Sequence, residues 1–275
     1  MAPSSHPWRI DPGPARDLAD LVGWDPTGGV RDLLGALADQ VPAGTTAKLE
    51  AVAAGAVPPG ADPAAVAARI LGDRAAARPS PSWSCWALST VMAALLDLGG
   101  RPAVVAALRR VDDRAPAVDL HSVVLTVDDD GPVVCDPYFA TAMPGPGEEG
   151  REGVHRGARA VRGDEADGRW TYEVTRGWWT GPLRYRVLAP TCDRDDVAAL
   201  CAVSVTHTGV PPGPCAAFWR TPVAVDAFVH REGGAAVREW RRDGAQGAGE
   251  AVRTEHPDWP AAAADLGRRV GVAVA

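Results

Sequence analysis

The sequence contains no asparagine and only one lysine, Lys48, so nearly all of its positive charge comes from arginine. Among its 275 residues, 28 are basic and 35 are acidic, which gives a net charge of −7 with histidine neutral. This balance argues against a general nucleic-acid binder, because such proteins gain affinity by neutralising phosphates. Hydrophobic residues make up 46% of the chain and charged residues 23%, which is typical of a folded protein and not of a disordered one.

Long apolar runs and paired cysteines are also missing. No stretch of about 18 consecutive apolar residues occurs, so we expect neither a membrane span nor a membrane partner. The segment from Met1 to Pro14 lacks the charged start and apolar core of a secretory signal. The five cysteines are odd in number and include no C-x-x-C pair, which fits neither a disulfide framework nor a zinc site. We therefore expect a reduced, cytoplasmic protein without a bound metal.

Three parts of the sequence differ in their hydrophobic pattern. Residues 1–100 are rich in alanine, with apolar residues at helical spacing between Pro-Gly breaks. Residues 101–190 contain short β-branched segments separated by turn residues, and residues 191–275 mix helical and strand-like pieces. We predict an α+β protein with a helical domain, a β domain and an α/β domain over these three ranges. The Gly-, Glu- and Arg-rich segment 144–163 is predicted to be a surface loop.

The segment around Cys85 carries the first candidate for catalysis. Ser82 follows two prolines and is a suitable N-cap, and Gly99 is a suitable stop, so we expect a helix of about four turns between them. Cys85 then lies in the first turn, where unpaired N–H groups and the helix dipole favour a thiolate. A cysteine on an apolar helix face is more often a small buried residue. The flanking Trp83 and Trp86 are candidates either for the walls of an acyl pocket or for core packing.

His121 and Asp136 fall on the two strands of a predicted β-hairpin. The turn between them contains three consecutive aspartates and Gly131, which we interpret as a solvated turn and not as a metal site. If Val127 pairs with Pro132, the histidine and Asp136 share one face of the sheet, within side-chain reach. A slip of one residue would put them on opposite faces. The alternatives are a strand histidine with a structural role and an aspartate that only caps a turn.

Cys85, His121 and Asp136 together form a chemically sensible set. A neutral imidazole can take the proton of the thiol and leave a thiolate–imidazolium pair. A carboxylate on the far ring nitrogen fixes the tautomer and stabilises the cation. We therefore predict Cys85 as the nucleophile, His121 as the base and Asp136 as the residue that orients the base.

This order of residues resembles the arylamine N-acetyltransferase family and its transglutaminase-like relatives. The cysteine at a helix start is followed by a histidine strand, His121-Ser122-Val123-Val124-Leu125, and by Asp136-Pro137-Tyr138-Phe139, which is similar to the family's Asp-x-x-Phe segment. The resemblance covers most of the chain from about Ser82 and is most specific at the three candidate residues. It implies a helical bundle, a central antiparallel β-barrel and a C-terminal α/β lid, with a cysteine-proteinase-like core.

The resemblance also implies a function. Cys85 would accept an acyl group from a thioester of coenzyme A, or of an acyl carrier protein as in related enzymes of natural-product pathways. It would then pass the acyl group to a small-molecule amine and form an amide. No permanently bound cofactor is expected, since the thioester is a substrate. Arg109 and Arg110, at the end of a strand, are candidates for contacts with coenzyme phosphates, or are simply solvated. A thiol hydrolase or transglutaminase-like enzyme with the same three residues, and a non-catalytic scaffold, stay open as alternatives.

A second resemblance competes at the same place. The segment Ser84-Cys85-Trp86-Ala87-Leu88-Ser89-Thr90 is similar to the nucleophile segment of papain-like proteases, which need a histidine about 130 residues later and then an asparagine. His207 and His230 are available as the histidine, but the chain has no asparagine. Neither of its two glutamines lies shortly before the cysteine. The acyltransferase is therefore the preferred hypothesis.

Overall fold

The computed structural model describes residues 7–56, 59–111, 120–145, 152–155, 158–164, 170–176, 182–206, 215–220, 223–230, 232–241, 252–271 and 274. Over these ranges the protein is α+β, as predicted, and contains helices and two antiparallel sheets. The helices are α1 Pro12–Val22, α2 Val30–Gln40, α3 Thr46–Ala53, α4 Pro63–Ala75, α5 Cys85–Leu98, α6 Arg194–Thr206 and α7 Trp259–Val270. Among these described helices, none is long and apolar enough to cross a lipid bilayer.

The strands group into two sheets. They are β1 Ala43–Gly44, β2 Ala103–Arg110, β3 Leu120–Asp128, β4 Gly131–Asp136, β5 Thr141–Pro144, β6 Glu152–His155, β7 Ala158–Asp164, β8 Trp170–Arg176, β9 Leu183–Cys192, β10 Cys215–Arg220, β11 Val223–Val229, β12 Ala235–Arg241 and β13 Val252–His256. The larger sheet has the order β5-β4-β3-β2-β9-β8-β7-β6. Its edge strands β5 and β6 lie side by side, so the sheet curls around an interior, in agreement with the predicted barrel.

Helix α5 lies at the centre of the larger hydrophobic core. Every residue from Cys85 to Leu96 is buried, because α1, α2 and α4 pack around α5 and strands β2 and β3 cover its remaining side. The opposite face of these strands lines the barrel interior. Strands that are buried on both faces do not alternate between apolar and polar residues. This explains the paired valines Val123-Val124 and Val133-Val134, one of each pair belonging to each core.

The β3–β4 hairpin has the predicted register. Val127 pairs with Pro132, and Asp128 pairs with Gly131 across a two-residue turn. Asp128 is not part of a solvated turn, contrary to the prediction. Its carboxylate accepts a hydrogen bond of 3.2 Å from the backbone N–H of Val30 and forms ion pairs with two arginines, Arg31 and Arg101. The hairpin is thereby anchored to the start of α2.

The smaller sheet has the order β1-β10-β11-β12-β13, and α7 packs on one of its faces. Strand β1 comes from the helical N-terminal part of the chain and pairs with β10, a long-range contact that the sequence pattern did not predict. The division into domains at residues 100 and 190 stays a prediction.

The described residues of the segment 144–163 do not form a simple surface loop, and residues 146–151 and 156–157 lie outside the described residues. The segment contains strand β6 and most of β7, which pair with each other, and β7 pairs in turn with β8. The high content of Gly, Glu and Arg led to the wrong prediction, because edge and near-edge strands tolerate polar residues on their solvent face.

Candidate active site

The candidate nucleophile lies in the first turn of α5, as predicted. The helix begins at Cys85, and its N-cap is Ser84, whose Oγ accepts a hydrogen bond of 3.4 Å from the N–H of Ala87. The predicted N-cap, Ser82, was wrong by two residues. Cys85 is 8% exposed, so its thiol has little contact with solvent.

Ser82 connects the segment before the nucleophile to two other parts of the fold. Its Oγ donates a hydrogen bond of 2.8 Å to the carbonyl oxygen of Ala217 on β10 and accepts one of 3.0 Å from the N–H of Thr46. The N–H of Ser82 donates in turn to Oγ1 of Thr46 at 2.7 Å. Because Ser82 and Thr46 are fully buried, these bonds fix the chain immediately before Cys85.

His121 and Asp136 meet inside the barrel. Nε2 of the histidine and Oδ2 of the aspartate are 2.6 Å apart, which is a short charge-assisted hydrogen bond. The residues are 3% and 1% exposed, so water does not compete for this bond. The predicted hairpin register accounts for the contact, since it places both side chains on the interior face.

Every lone pair of the Asp136 carboxylate has a donor within reach. Oδ1 accepts hydrogen bonds of 2.9 and 3.0 Å from the backbone N–H groups of Tyr138 and Phe139. Oδ2 accepts a bond of 2.9 Å from the hydroxyl of Tyr172, in addition to the bond with His121. The same hydroxyl lies 2.6 Å from Oγ1 of Thr141. Burial and the neighbouring carboxylate raise the pKa of Tyr172 well above its usual value. The hydroxyl therefore stays protonated and donates a hydrogen bond to Asp136.

Aromatic rings surround the imidazole. Ring centroids lie 4.8 to 6.5 Å from that of His121 for four residues: Tyr138, Phe139, Tyr172 and Tyr185. The chain has three tyrosines, and all of them belong to this group. The sequence interpretation missed Tyr172 and Tyr185 because they lie on β8 and β9, far from the hairpin along the chain.

Cys85 is close enough to His121 to influence its protonation, and like Asp136 it raises the pKa of the imidazole. Since Asp136 occupies Nε2, the nitrogen available to the thiol is Nδ1. Burial lowers the pKa of the imidazole, but Asp136 and Cys85 together outweigh it and raise the pKa of His121 to about 10. The raised pKa favours the protonated form of His121, stabilised mainly by Asp136 and further by Cys85.

Other candidates from the sequence do not join this group. Cys135 faces the core around α5, on the opposite side of β4 from Asp136, and burial raises the pKa of its thiol far above the usual value. His230, one of the histidines available to a papain-like protease, pairs with Glu255 at 3.2 Å in the smaller sheet. His207, the other one, lies outside the described residues.

Trp83 and Trp86 are each 2% exposed and belong to the core around α5. Their placement agrees with core packing, which was one of the two roles considered for them. Across the residues that the structure describes, no three His, Cys, Asp or Glu side chains come close enough together to hold a metal ion.

The fold is that of the arylamine N-acetyltransferases. A structure of the Mycobacterium smegmatis enzyme matches with a TM-score of 0.66 at 17% identity and covers 93% of this chain and 91% of that one. The Nocardia farcinica enzyme matches with a TM-score of 0.64 at 14% identity, over 99% and 95% of the two chains. The Mycobacterium marinum enzyme, solved in complex with CoA, matches with a TM-score of 0.61 at 16% identity, over 92% and 91%.

No family model matches the chain, and no curated protein matches it either. The predicted resemblance is thus confirmed for the three-dimensional fold, at a level of sequence identity at which only the fold is shown.

Proposed function

We propose that the protein is a cysteine-dependent N-acyltransferase that moves an acyl group from a thioester to an amine. The observation that carries this proposal is the buried hydrogen bond between His121 and Asp136. It is supported by Cys85, which lies at the start of a helix and raises the pKa of the same imidazole. The likeness of the fold to arylamine N-acetyltransferases, one of them solved with CoA, supports coenzyme A as the carrier of the acyl group.

In the first half of the proposed reaction, the Cys85 thiolate attacks the carbonyl carbon of the acyl thioester. A new carbon–sulfur bond forms to the enzyme, and the bond between the carbonyl carbon and the sulfur of coenzyme A breaks. The departing sulfur takes the proton held on His121, so that free coenzyme A leaves as a thiol. The negative charge of the intermediate develops beside the first turn of α5, where the helix dipole stabilises it.

In the second half, a neutral amine attacks the carbonyl carbon of acyl-Cys85. The new carbon–nitrogen bond becomes the amide, His121 takes a proton from the nitrogen, and the cysteine sulfur leaves as a thiolate. This step restores the starting thiolate–imidazolium pair. Asp136 holds the imidazole with one nitrogen facing the sulfur in both halves, and stabilises the cation whenever it forms.

Intact-mass spectrometry tests the proposal. We expect incubation with acetyl-CoA or longer acyl-CoA thioesters to add one acyl group to the protein, and the addition to be lost in Cys85→Ala. Cys192→Ala is the matched control, because Cys192 is also buried but lies at the end of β9, and it should keep the adduct. An unmodified Cys85 across acyl-CoA and acyl-pantetheine thioesters would contradict the proposal.

Product analysis separates transfer from the alternatives. With excess aromatic amine, an amide supports the acyltransferase, whereas a free acid identifies a thiol hydrolase. A difference in rate between acyl-CoA and an acyl carrier protein shows which donor the enzyme uses. The amine acceptor, the carrier protein and the cytoplasmic location stay predictions.

A further inference from the structure

A cavity of about 200 Å³ lies between the C-terminal ends of helices α1, α2 and α4. The chain that leads to the nucleophile completes its wall with residues 78–80. Cys85, His121 and Asp136 are not among the residues that line it. The cavity is therefore separate from the candidate active site.

The wall of this cavity combines apolar and positively charged residues. Its apolar residues include Leu21, Val41 and Ile70, and the last two are only 2% and 4% exposed. Arg74 and Arg78 supply the charge, and none of the described residues that line the cavity is acidic. Since acidic residues outnumber basic ones by 35 to 28 in the whole chain, this local excess of positive charge favours an anion.

The two arginines differ in what they already bind. Nη2 of Arg78 forms an ion pair of 3.1 Å with Oδ1 of Asp73, which offsets its charge. The exposed side chain of Arg74 forms no hydrogen bond or ion pair with any residue that the structure describes. A guanidinium stays charged at every physiological pH and offers five N–H donors. Arg74 can therefore bind an anion without giving up another partner.

Capping of α4 does not account for Arg74. Basic side chains near the end of a helix often compensate its last carbonyl groups. In α4, however, the carbonyl groups of Gly72, Asp73 and Arg74 accept hydrogen bonds of 2.8 to 3.1 Å from the backbone N–H groups of residues 76–78. The backbone thus closes the end of this helix, and the guanidinium of Arg74 is not needed for it.

Ser80 adds a hydroxyl group to the wall of the cavity. Its Oγ is buried and makes no hydrogen bond within the described part of the chain. Buried hydroxyl groups nearly always have a hydrogen-bond partner, so an unpartnered one at a cavity wall points to a ligand. A carboxylate has two acceptor oxygens, one for this hydroxyl and one for the guanidinium of Arg74.

We propose that this cavity binds a small aromatic carboxylate, with its ring against the apolar residues and its carboxylate bound by Arg74 and Ser80. The size of the cavity supports a ligand with one ring, because a protein cavity of about 150 Å³ holds benzene and this one has about 200 Å³. Coenzyme A is far too large for this volume. The ligand is thus different from the substrates of the proposed acyl transfer, and its binding does not depend on that activity.

Titration by ligand-observed NMR tests the proposal with benzoate and with benzamide, which has the same ring and no charge. Benzoate should bind in a saturable manner and about tenfold more tightly than benzamide, because hydrogen bonds to a charged group are the stronger ones. Arg74→Gln should remove most of this preference. Lack of saturable benzoate binding, or equal affinities in the wild type and in Arg74→Gln, would overturn the proposal.

Two controls establish where benzoate binds. Arg16→Gln removes another exposed arginine, on α1, which does not line the cavity, and should bind benzoate like the wild type. Protein alkylated at Cys85 should also bind benzoate with unchanged affinity, since the candidate active site is separate. An equal loss of binding in Arg16→Gln would indicate a general effect of surface charge, and a loss in the alkylated protein would move the site to Cys85. Either result would overturn the proposal.

Ser80→Ala gives a second and independent readout. In the protein without ligand, the substitution removes a buried hydroxyl that has no described partner, so urea unfolding should show no loss of stability. Benzoate binding should nevertheless weaken severalfold, because the carboxylate loses a donor. Unchanged binding would remove Ser80 from the proposed site. These measurements need no acyl transfer, so they keep their meaning whether the acyltransferase proposal stands or fails.

Discussion

Nε2 of His121 lies 2.6 Å from Oδ2 of Asp136 in the barrel interior, and both side chains are almost completely buried. Because Asp136 also accepts two backbone N–H bonds and one hydroxyl bond, its carboxylate cannot rotate without losing several partners. The imidazole is consequently held with Nε2 on the aspartate, which leaves Nδ1 for the proposed nucleophile.

Asp136→Asn should reduce acyl transfer about a hundredfold or more. The amide group nearly preserves the shape of the carboxylate but removes its charge, and it donates a hydrogen bond where the histidine needs an acceptor, which selects the wrong tautomer. The rate of enzyme acylation, measured by stopped flow or by timed mass spectrometry, gives the effect. Asp130→Asn, in the exposed turn of the same hairpin, is the control and should behave like the wild type. A loss below tenfold would remove Asp136 from the proposed mechanism.

Tyr172→Phe tests a positioning residue that the sequence did not reveal. The variant keeps the ring beside His121 but removes the hydroxyl that bonds to Asp136 and lies near Thr141. We expect a loss of about 1 kcal/mol in the free energy of unfolding and a lower acylation rate with a shifted pH profile. Thr171→Val removes a hydroxyl from the neighbouring position, which faces away from the site, and should leave the pH profile unchanged. A Tyr172 variant with altered stability and an unaltered profile would indicate a structural role only.

The ionisation of His121 can be followed directly by nitrogen-15 NMR of the imidazole. The wild-type ring should lose its proton near pH 10, since Asp136 and Cys85 raise its pKa. The pKa should fall in Cys85→Ala and fall further in Asp136→Asn, because the carboxylate makes the larger of the two favourable contributions. In Cys192→Ala it should stay unchanged. A wild-type ring that titrates near its ordinary value of 6.5 would contradict the thiolate–imidazolium pair.

The same shift predicts how stability depends on pH. The folded protein binds the His121 proton more tightly than the unfolded chain, so the resulting stabilisation is fully present below about pH 6.5. It declines above that pH and is lost as the pH rises through about 10. Urea unfolding at pH 6.5, 8 and 10 should show a larger loss of stability for the wild type than for His121→Gln. Parallel curves for the two proteins would mean that His121 has no raised pKa in the folded state.

The hairpin was predictable from sequence because the residues that determine its register are close together along the chain. Strand alternation and the turn residues fix the pairing of Val127 with Pro132, and that pairing brings His121 and Asp136 to one face. The environment of His121 was not predictable in the same way. Tyr172 and Tyr185 reach it only because β9 and β8 continue the sheet on the far side of β2, an order that depends on long-range pairing. The one sequence feature that pointed to these residues was the scarcity of tyrosine, since the chain has only three.

The start of α5 shows how a long-range contact overrides a local preference. Ser82 and Ser84 are both good N-cap residues by type, and sequence alone does not rank them. Ser82 instead bonds to Thr46 and Ala217, which come from α3 and β10, and Ser84 is left to cap the helix. Strand β1, which brings these segments together, is two residues long and has no recognisable sequence pattern.

Alanine substitution of the two serines distinguishes these roles. Ser84→Ala removes a cap with a long hydrogen bond of 3.4 Å and should cost about 1 kcal/mol or less. Ser82→Ala leaves the buried N–H of Thr46 without its partner and removes one of the two hydrogen bonds to the carbonyl of Ala217, which also accepts from the N–H of Thr45. This change should cost about 1–3 kcal/mol. Urea unfolding of both variants gives the comparison. Ser82→Ala should also slow the acylation of Cys85, because the segment before the nucleophile loses its attachment to β10. A larger loss of stability in the Ser84 variant would mean that the cap, and not the contact with the smaller sheet, holds the nucleophile in place.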